Sequence, residues 1–258
     1  MTAVRRLILP VYAGLTLLYL LVPIVVVILF SFNNPVGRFN YTWSAFTLDN
    51  WKNPFGVPGL GDAMVVSIKI ALLATVCATI LGTLIALALV RYRFTGKSPT
   101  NFLIFLPMST PEIVLGASIL TLFLNLGVAT GFATIFLAHV MFCVSYVVVT
   151  MKARLAGFDR SLEEAAMDLG ATPWRTFRRV TLPLIAPGLI AAALLAFALS
   201  IDDFVITVFN SGTTITFPVF VWGAARVGVP PQVNVVGSMI FLAAVGAMLI
   251  NLVLQRRR

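Results

Sequence analysis

Long apolar segments separated by short polar stretches constrain the fold of this chain more than any other feature. A helix needs about 20 mostly apolar residues to cross the hydrocarbon core of a bilayer. Because lipid cannot satisfy backbone polar groups, each such segment is predicted to be helical. The predicted fold is therefore an all-α integral membrane protein of about six transmembrane helices, forming one domain over residues 1–258. In chain order the predicted spans are 7–30, 62–90, 101–126, 132–151, 182–209 and 233–254.

The low content of charged residues supports this interpretation. Charged residues make up 10% of the chain and hydrophobic residues 60%, whereas about a quarter of the residues in a soluble domain are charged. A formal net charge of +9 would suggest nucleic-acid binding in a soluble protein. Cytoplasmic loops of membrane proteins also collect Lys and Arg. We therefore attribute the charge to membrane topology and expect no nucleic-acid partner.

The distribution of basic residues predicts an orientation. Fourteen of the eighteen basic residues fall on one side of the predicted membrane, at the chain ends and in the connections after spans two and four. Only Arg38, Lys52 and Arg226 fall on the other side, and Lys69 lies within span two. Since basic residues favour the cytoplasmic side, both termini are predicted to be cytoplasmic.

The two external connections contain further signals. Residues 31–61 hold turn signals together with Trp43 and Trp51, and aromatic residues of this kind favour the membrane–water interface. Residues 211–232 have an apolar middle that is compatible with a short interfacial or re-entrant helix. His139 and the two cysteines lie in apolar runs without metal-ligand spacing. They are predicted to be buried packing residues, and no metal site is expected.

The connection between spans four and five is the longest polar stretch with helical character. Ser161 and Glu164 have the spacing of a capping box, in which serine caps the helix start and glutamate reaches back. Gly170 fits the position just past a helix end, where a left-handed backbone is needed. Thr172 and Pro173 fit the N-cap and first position of a second helix. The sequence therefore predicts two short helices about a glycine elbow.

Small side chains give this connection, about residues 157–181, a smooth face. Ala165, Ala166 and Leu169 would allow another protein to approach closely. The residues alone leave two alternatives, a docking loop for a soluble partner or a helical linker lying on the membrane surface. Glu164 could serve as a cap, as a contact, or as both.

A resemblance to a known family favours docking. The letters EAA that begin at Glu164, then Gly170, Val180 and the pair Leu182-Pro183, resemble the EAA-loop signature of ABC importer permease subunits. That family usually has isoleucine where this chain has Val180. The resemblance implies a type I ABC importer permease fold, in which this loop inserts into a groove of a separate ATPase. The residues to which it assigns ATPase coupling are Glu163, Glu164, Ala165, Ala166, Asp168, Leu169 and Gly170.

The resemblance extends over nearly the whole chain. Residues 91–97, 106–114, 152–159, 198–209 and 225–234 are similar to the spermidine/putrescine importer permeases of the PotC and PotI type. This similarity implies a polyamine as the transported solute, with another small solute as the alternative.

The family also implies partners and a location. The implied partners are two copies of an ATP-binding subunit, a second permease subunit, a periplasmic or extracellular polyamine-binding protein and membrane lipid. The chain has no Walker A pattern, so ATP is expected to be used by the partner, with no cofactor bound here. The chain is thus expected to be a transport subunit rather than an enzyme, located as a multi-pass protein in a bacterial cytoplasmic (inner) membrane.

Ionisable groups inside predicted spans are costly and by default mark functional sites. Glu112 lies about eleven residues into span three, next to Pro107 and Pro111, which could break the helix. Lys69 is expected to extend towards the outer interface. Asp202 and Asp203 lie in the outer part of span five, and adjacent helical residues point about 100° apart. One of the two could therefore face a pore while the other binds a neighbouring helix.

A path for a protonated polyamine needs spaced carboxylates and aromatic faces. The residues predicted to form it are Trp51, Glu112, Ser200, Asp202 and Asp203. One rival function is an ion-coupled secondary transporter with the acids as relays, although no repeat relates the two halves of the chain. Another is a membrane scaffold without transport, which would leave the intramembrane acids unexplained.

Overall fold

Helices account for nearly all regular structure in a computed structural model that describes the backbone of residues 3–256 and the side chains of residues 8–246. Within these residues the only β-type pairing is an isolated bridge between Asn33 and Phe46, so the predicted all-α class is confirmed. The helices are α1 (Ala3–Phe30), α2 (Asp49–Lys52), α3 (Leu60–Arg91), α4 (Lys97–Ser109), α5 (Glu112–Asn125), α6 (Phe132–Ala156), α7 (Ser161–Asp168), α8 (Pro173–Thr176), α9 (Leu182–Asp202), α10 (Val205–Asn210), α11 (Phe217–Val227) and α12 (Pro231–Arg256).

Several helices are long and apolar enough to cross a bilayer. Four helices within the described residues meet this test alone, and a fifth span is added if the pair α4 and α5, bent by 111° relative to each other, is treated as one span. The described apolar part of α12 ends at Gly246, so predicted span six lies partly outside the described side chains, as do the terminal arginines. The four unbent spans within the described residues are Ile8–Phe30, Leu60–Arg91, Phe132–Ala156 and Pro173–Asp202.

One compact unit comprises residues 1–62 and 220–258. In it α1 and α2 each pack against α12, and the loop after α1 is held by buried amide side chains. Asn33 Nδ2 donates to Asn40 Oδ1 at 2.6 Å, and Asn50 Nδ2 donates to the Asn33 carbonyl at 2.9 Å. Because buried amides in such a network are rigidly oriented, this loop, predicted to be external, has a defined structure.

The second unit, residues 63–219, is built around α6. Helices α4, α5, α9 and α10 all contact α6, and α10 also packs closely on α5. Gly116 permits this close approach, since a Cβ there would lie 2.9 Å from the Phe209 ring and 3.3 Å from Ile206 Cα. The position of α10 is thereby set by α5 on one side and α6 on the other.

Gly82 on α3 has a similar role against α6. A Cβ at this position would lie 2.6 Å from Val147 Cγ1 and 3.2 Å from the Val144 carbonyl oxygen. Gly82→Ala is expected to reduce the free energy of unfolding by about 1–3 kcal/mol, the usual effect of overpacking a core. Thermal unfolding of the purified protein in detergent would measure this. Gly14→Ala on α1 is the matched control, because nothing lies within 4 Å of its Cβ position, and equal midpoints for the two variants would contradict the prediction.

The breaks in spans three and five differ in how well they were predicted. Span three breaks at Thr110 and Pro111, as the prolines indicated. Predicted span five, 182–209, starts where α9 starts, at Leu182, although the helical run itself begins at Pro173 and passes through a π-helical turn at Phe177–Thr181. Its predicted end is wrong, because α9 ends at Asp202. Asp203 is extended, with φ −65° and ψ 120°, and α10 then starts at Val205. The helix restarts there because the Asp203 carboxylate accepts the backbone N–H groups of its first turn.

Candidate functional site

The predicted coupling loop folds around Gly170. Its φ of +86° is left-handed, and the Gly170 and Ala171 amides donate to carbonyls of α7 at 2.9 and 3.0 Å, which closes the helix end. Thr172 is extended, and its hydroxyl accepts the Arg175 N–H at 3.4 Å, with Pro173 in the first helical position. The predicted elbow and second N-cap are confirmed.

The predicted capping box at the start of α7 is wrong. Asp159 Oδ1 accepts the Ser161 N–H at 2.9 Å, and Ser161 is the first helical residue rather than the cap. This hydrogen bond from Ser161 holds the pKa of Asp159 below its ordinary value. A carboxylate accepts an amide more strongly than a hydroxyl does, so Asp159 takes the role predicted for Ser161. Glu164 is therefore not needed as a cap.

The second predicted helix is not a separate element. The chain passes from α8 through the π-helical turn Phe177–Thr181 directly into α9 without a break. No glycine interrupts this stretch, and the π-helical turn lies directly before Pro183. Local π-helical geometry is one way in which a helix accommodates a proline that lacks an N–H donor. A displacement of the coupling loop would consequently act directly on span five.

Glu163 connects the loop to two other elements. Its Oε1 accepts hydrogen bonds from Arg91 Nη2, at the end of α3, and from Thr181 Oγ1 in the π-helical turn. The Glu163 side chain is only 12% exposed, and the Arg91 guanidinium lies 5.9 Å from the centre of the Phe158 ring. Glu163 thus holds α7 against the end of α3 and the π-helical turn. Sequence spacing could not reveal the contact with Arg91, which lies 72 residues away.

Removing this charge tests whether Glu163 holds α7 against α3 and the π-helical turn. Glu163→Gln is expected to make trypsin cleavage of the loop about tenfold faster in membrane vesicles that lack ATPase subunits. A hydrogen bond to a charged group contributes about 1.5–3 kcal/mol, and cleavage follows the population of the opened state. Glu164→Gln is the adjacent control, because that side chain is exposed. Equal cleavage rates for the two variants would show that Glu163 does not hold the loop.

The remaining predicted coupling residues are accessible. Glu164, Ala165, Asp168 and Leu169 are exposed, and Ala166 is half-buried. Leu169 is 90% exposed, which is unusual for a large apolar side chain in a polar loop. Sequence reasoning missed three further exposed apolar side chains here, although their large size within a polar stretch was a usable signal: Leu162, Met167 and Trp174.

The predicted path residues in the second unit divide into buried and accessible groups. Ser200 is buried and the side chain of Asp203 is 5% exposed, and both lie next to His139 of α6. Asp202 and Glu112 are exposed, and neither forms an ion pair with any residue in the range 8–246. The two adjacent aspartates therefore point in different directions. The reason is not the predicted helical rotation, because the helix ends at Asp202 and Asp203 is extended.

Trp51, the fifth predicted path residue, belongs to the first unit. Its indole N–H donates to Ser31 Oγ at 3.0 Å, and its ring stacks on Phe32 with centroids 5.4 Å apart. These contacts assign Trp51 to the internal structure of the loop after α1.

Comparison with known proteins identifies the family. Residues 78–257 match the family described as binding-protein-dependent transport system inner membrane component. The chain belongs to this family. It is a permease subunit of a binding-protein-dependent importer and a multi-pass inner membrane protein, which removes the rival interpretations as a secondary transporter or scaffold. Its family identifies it as a transport component, and ATP is used by a partner subunit.

Three curated relatives resemble the permease over most of its length. The spermidine/putrescine transport system permease protein PotC of Haemophilus influenzae is 36% identical, covering 93% of each chain. The putrescine transport system permease protein PotI of Escherichia coli K12 is 41% identical, over 90% of this chain and 84% of the relative. PotC of E. coli K12 is 37% identical, over 87% of this chain and 84% of the relative.

Solved structures confirm the predicted fold. A bacterial ABC transporter involved in import of the acidic polysaccharide alginate matches with a TM-score of 0.66 and 18% identity, covering 99% of the permease and 98% of that chain. An amino acid ABC transporter with histidines matches with a TM-score of 0.60 and 18% identity, covering 83% and 99% of the two chains. At this level of identity the likeness supports the type I importer permease fold alone.

The potential metal ligands in the described part of the permease are scattered. Among its described residues no three His, Cys, Asp or Glu side chains are grouped as metal ligands. Cys143 is buried with its thiol 3.5 Å from the Ala196 carbonyl, and Cys77 is half-buried. His139 is buried as predicted, but it takes part in a polar cluster that sequence reasoning left out of the site.

Proposed function

We propose that this permease carries a polyamine of the spermidine or putrescine type across the inner membrane. The observation that carries the proposal is the similarity, over most of the chain, to relatives named for spermidine and putrescine transport. Two exposed intramembrane carboxylates support it, because a multiply protonated amine is attracted to spaced negative charges.

The position of Asp202 suits a cationic solute. It is the last residue of α9, and its carboxylate is exposed. The last carbonyl groups of a helix have no intrahelical partners and carry partial negative charge. The carboxylate therefore adds to a region that already attracts cations, as helix C-terminal ends do in other transporters.

Glu112 supplies the second charge of the proposed path. It is the first residue of α5 and directly follows the bend between α4 and α5. Negative charge is favourable at a helix start, so this position suits a carboxylate. In this proposal Glu112 and Asp202 contact the polyamine. The side chains of Ser200 and Asp203 do not contact it and instead stabilise the helices that line the path.

The proposed complex contains more than this chain. Two ATP-binding subunits dock on the loop 157–181 of this permease and of a second permease subunit, and a polyamine-binding protein delivers the solute from outside. Both termini of the chain are cytoplasmic, in agreement with the excess of Lys and Arg on that side. Binding and hydrolysis of ATP by the partner then switch the accessible side of the path.

Competition for uptake tests the substrate class. The whole complex, reconstituted in proteoliposomes with its binding protein, would take up radiolabelled putrescine. Unlabelled spermidine and putrescine are expected to compete, whereas a neutral sugar and an anionic amino acid are not. Absence of ATP-dependent uptake of both radiolabelled putrescine and radiolabelled spermidine, or competition by the neutral or anionic solute alone, would reject a polyamine substrate.

A further inference from the structure

A buried polar cluster joins α6 to both sides of the break in span five. His139 Nδ1 lies 2.7 Å from Ser200 Oγ in the last turns of α9. His139 Nε2 lies 2.9 Å from Thr207 Oγ1 in α10 and 3.3 Å from Asp203 Oδ2 in the break itself. The imidazole is 2% exposed and Thr207 is fully buried, so the ring bridges two helices in an environment without bulk water.

The hydrogen-bond pattern assigns a role to each ring nitrogen. Asp203 Oδ2 accepts the Thr207 N–H at 2.8 Å and lies 2.9 Å from the Thr207 hydroxyl. A carboxylate accepts only, so the Thr207 hydroxyl donates to Asp203 and has lone pairs left to accept from the ring. Nε2 then carries the hydrogen, and in a neutral ring Nδ1 accepts the hydroxyl of Ser200. Every polar group of the cluster has a partner in this arrangement.

This cluster fixes the direction of the two aspartates. Asp203 is drawn inward, where its carboxylate caps α10 through the Ile206 and Thr207 amides. Asp202, one residue earlier, remains at the end of α9 with its carboxylate exposed. A buried network in which every polar group has a hydrogen-bond partner specifies one backbone geometry, because leaving some of these groups without a partner inside a protein is costly.

We propose that His139 is a positioning residue, which holds the break at residues 202–204 so that the Asp202 carboxylate faces the polyamine path. The inference rests on the proposed function for the role of Asp202, and it adds a residue of α6 that touches no substrate. Loss of the Nε2–H contact would free α10 and Asp203 to move, and the carboxylate of Asp202 would lose its fixed position.

Two substitutions separate a hydrogen-bonding role from simple packing. The amide nitrogen of a glutamine at position 139 reaches about as far as Nε2 and can donate to Thr207 and Asp203. An asparagine ends near the position of Nδ1 and cannot reach them. His139→Asn is therefore expected to raise the KM for putrescine uptake about tenfold, whereas His139→Gln is expected to restore it to within about threefold of the unsubstituted complex.

The measurement uses the whole reconstituted complex, and KM is the decisive quantity because it does not depend on how much complex assembles. Cys143→Ala is the matched control: Cys143 lies one turn further along α6 and is equally buried, but its thiol contacts the Ala196 carbonyl rather than the break. Its KM is expected to stay within about twofold of the unsubstituted value.

The outcomes distinguish this inference from the proposed function. If Asp202→Asn raises KM but His139→Asn and His139→Gln do not differ, the positioning role is overturned while the path stands. If Asp202→Asn leaves KM unchanged, Asp202 does not belong to the path, and the positioning role that depends on it fails as well. Should the His139 variants not assemble, the nearly isosteric Thr207→Val gives the answer. A raised KM supports the positioning role of the contact between His139 and Thr207, and an unchanged KM overturns that role.

Discussion

Replacing Asp202 by asparagine is expected to raise the KM for polyamine uptake by about tenfold. Opposite unit charges 4 Å apart attract by about 1 kcal/mol in water and by about 4 kcal/mol near a protein surface. A loss of 1.4 kcal/mol corresponds to a factor of ten in binding. The substitution keeps the shape of the side chain while removing the charge at the end of α9, and uptake kinetics of the reconstituted complex would measure the effect.

The same experiment includes a second site and a control. Glu112→Gln is expected to raise KM in the same direction, and the double variant should exceed either single variant. Asp49→Asn is the control, because this exposed carboxylate pairs with Lys52 in the external loop and belongs to the first unit. Unchanged uptake in both the Asp202→Asn and Glu112→Gln complexes would show that the intramembrane acids do not form the path.

A charge at Leu169 is expected to abolish capture of the ATPase by the permease. Leu169 is 90% exposed beside Gly170, and removing a side chain that anchors an interface weakens binding by about 2 kcal/mol or more. An unpaired aspartate buried there adds a desolvation penalty. We therefore expect Leu169→Asp to reduce the ATPase recovered with the tagged permease at least about thirtyfold.

The matched control for this variant is Val36→Asp. Val36 is 95% exposed, but it lies in the external loop rather than in the coupling loop, so ATPase recovery should be unaffected. Glu164→Arg tests the neighbouring acid, which is exposed and not used as a cap, and it is expected to lower polyamine-stimulated ATP hydrolysis. Full recovery of ATPase with Leu169→Asp would mean that the loop does not form the docking surface.

The coupling loop shows which local features can be predicted from a sequence. The elbow at Gly170 and the cap at Thr172 depend on backbone preferences of a few neighbouring residues, and both are present. The capping box failed because Asp159 competes with Ser161 for the same amide, and the choice between two nearby acceptors depends on the direction in which the chain enters the helix.

Contacts between distant residues could not be predicted in the same way. Glu163 and Glu164 are chemically identical neighbours, yet only Glu163 meets Arg91 and Thr181. Likewise, Asp202 and Asp203 are identical neighbours in the sequence, yet only Asp203 lies next to His139 of α6. A polar residue in an apolar run is a visible signal, but its partner is set by packing of helices that are far apart in the chain.

The sequence by itself determined that this protein is helical, with several apolar spans and a glycine elbow between two of them, because apolar runs and turn residues act locally. Its transport function was indicated by the resemblance to importer permeases. The tertiary structure alone decided which acid is buried and which is exposed, and where span five breaks. The physical reason is that a buried carboxylate needs hydrogen-bond donors, and the donors of Asp203 come both from its own following turn and from a histidine 64 residues earlier in the chain.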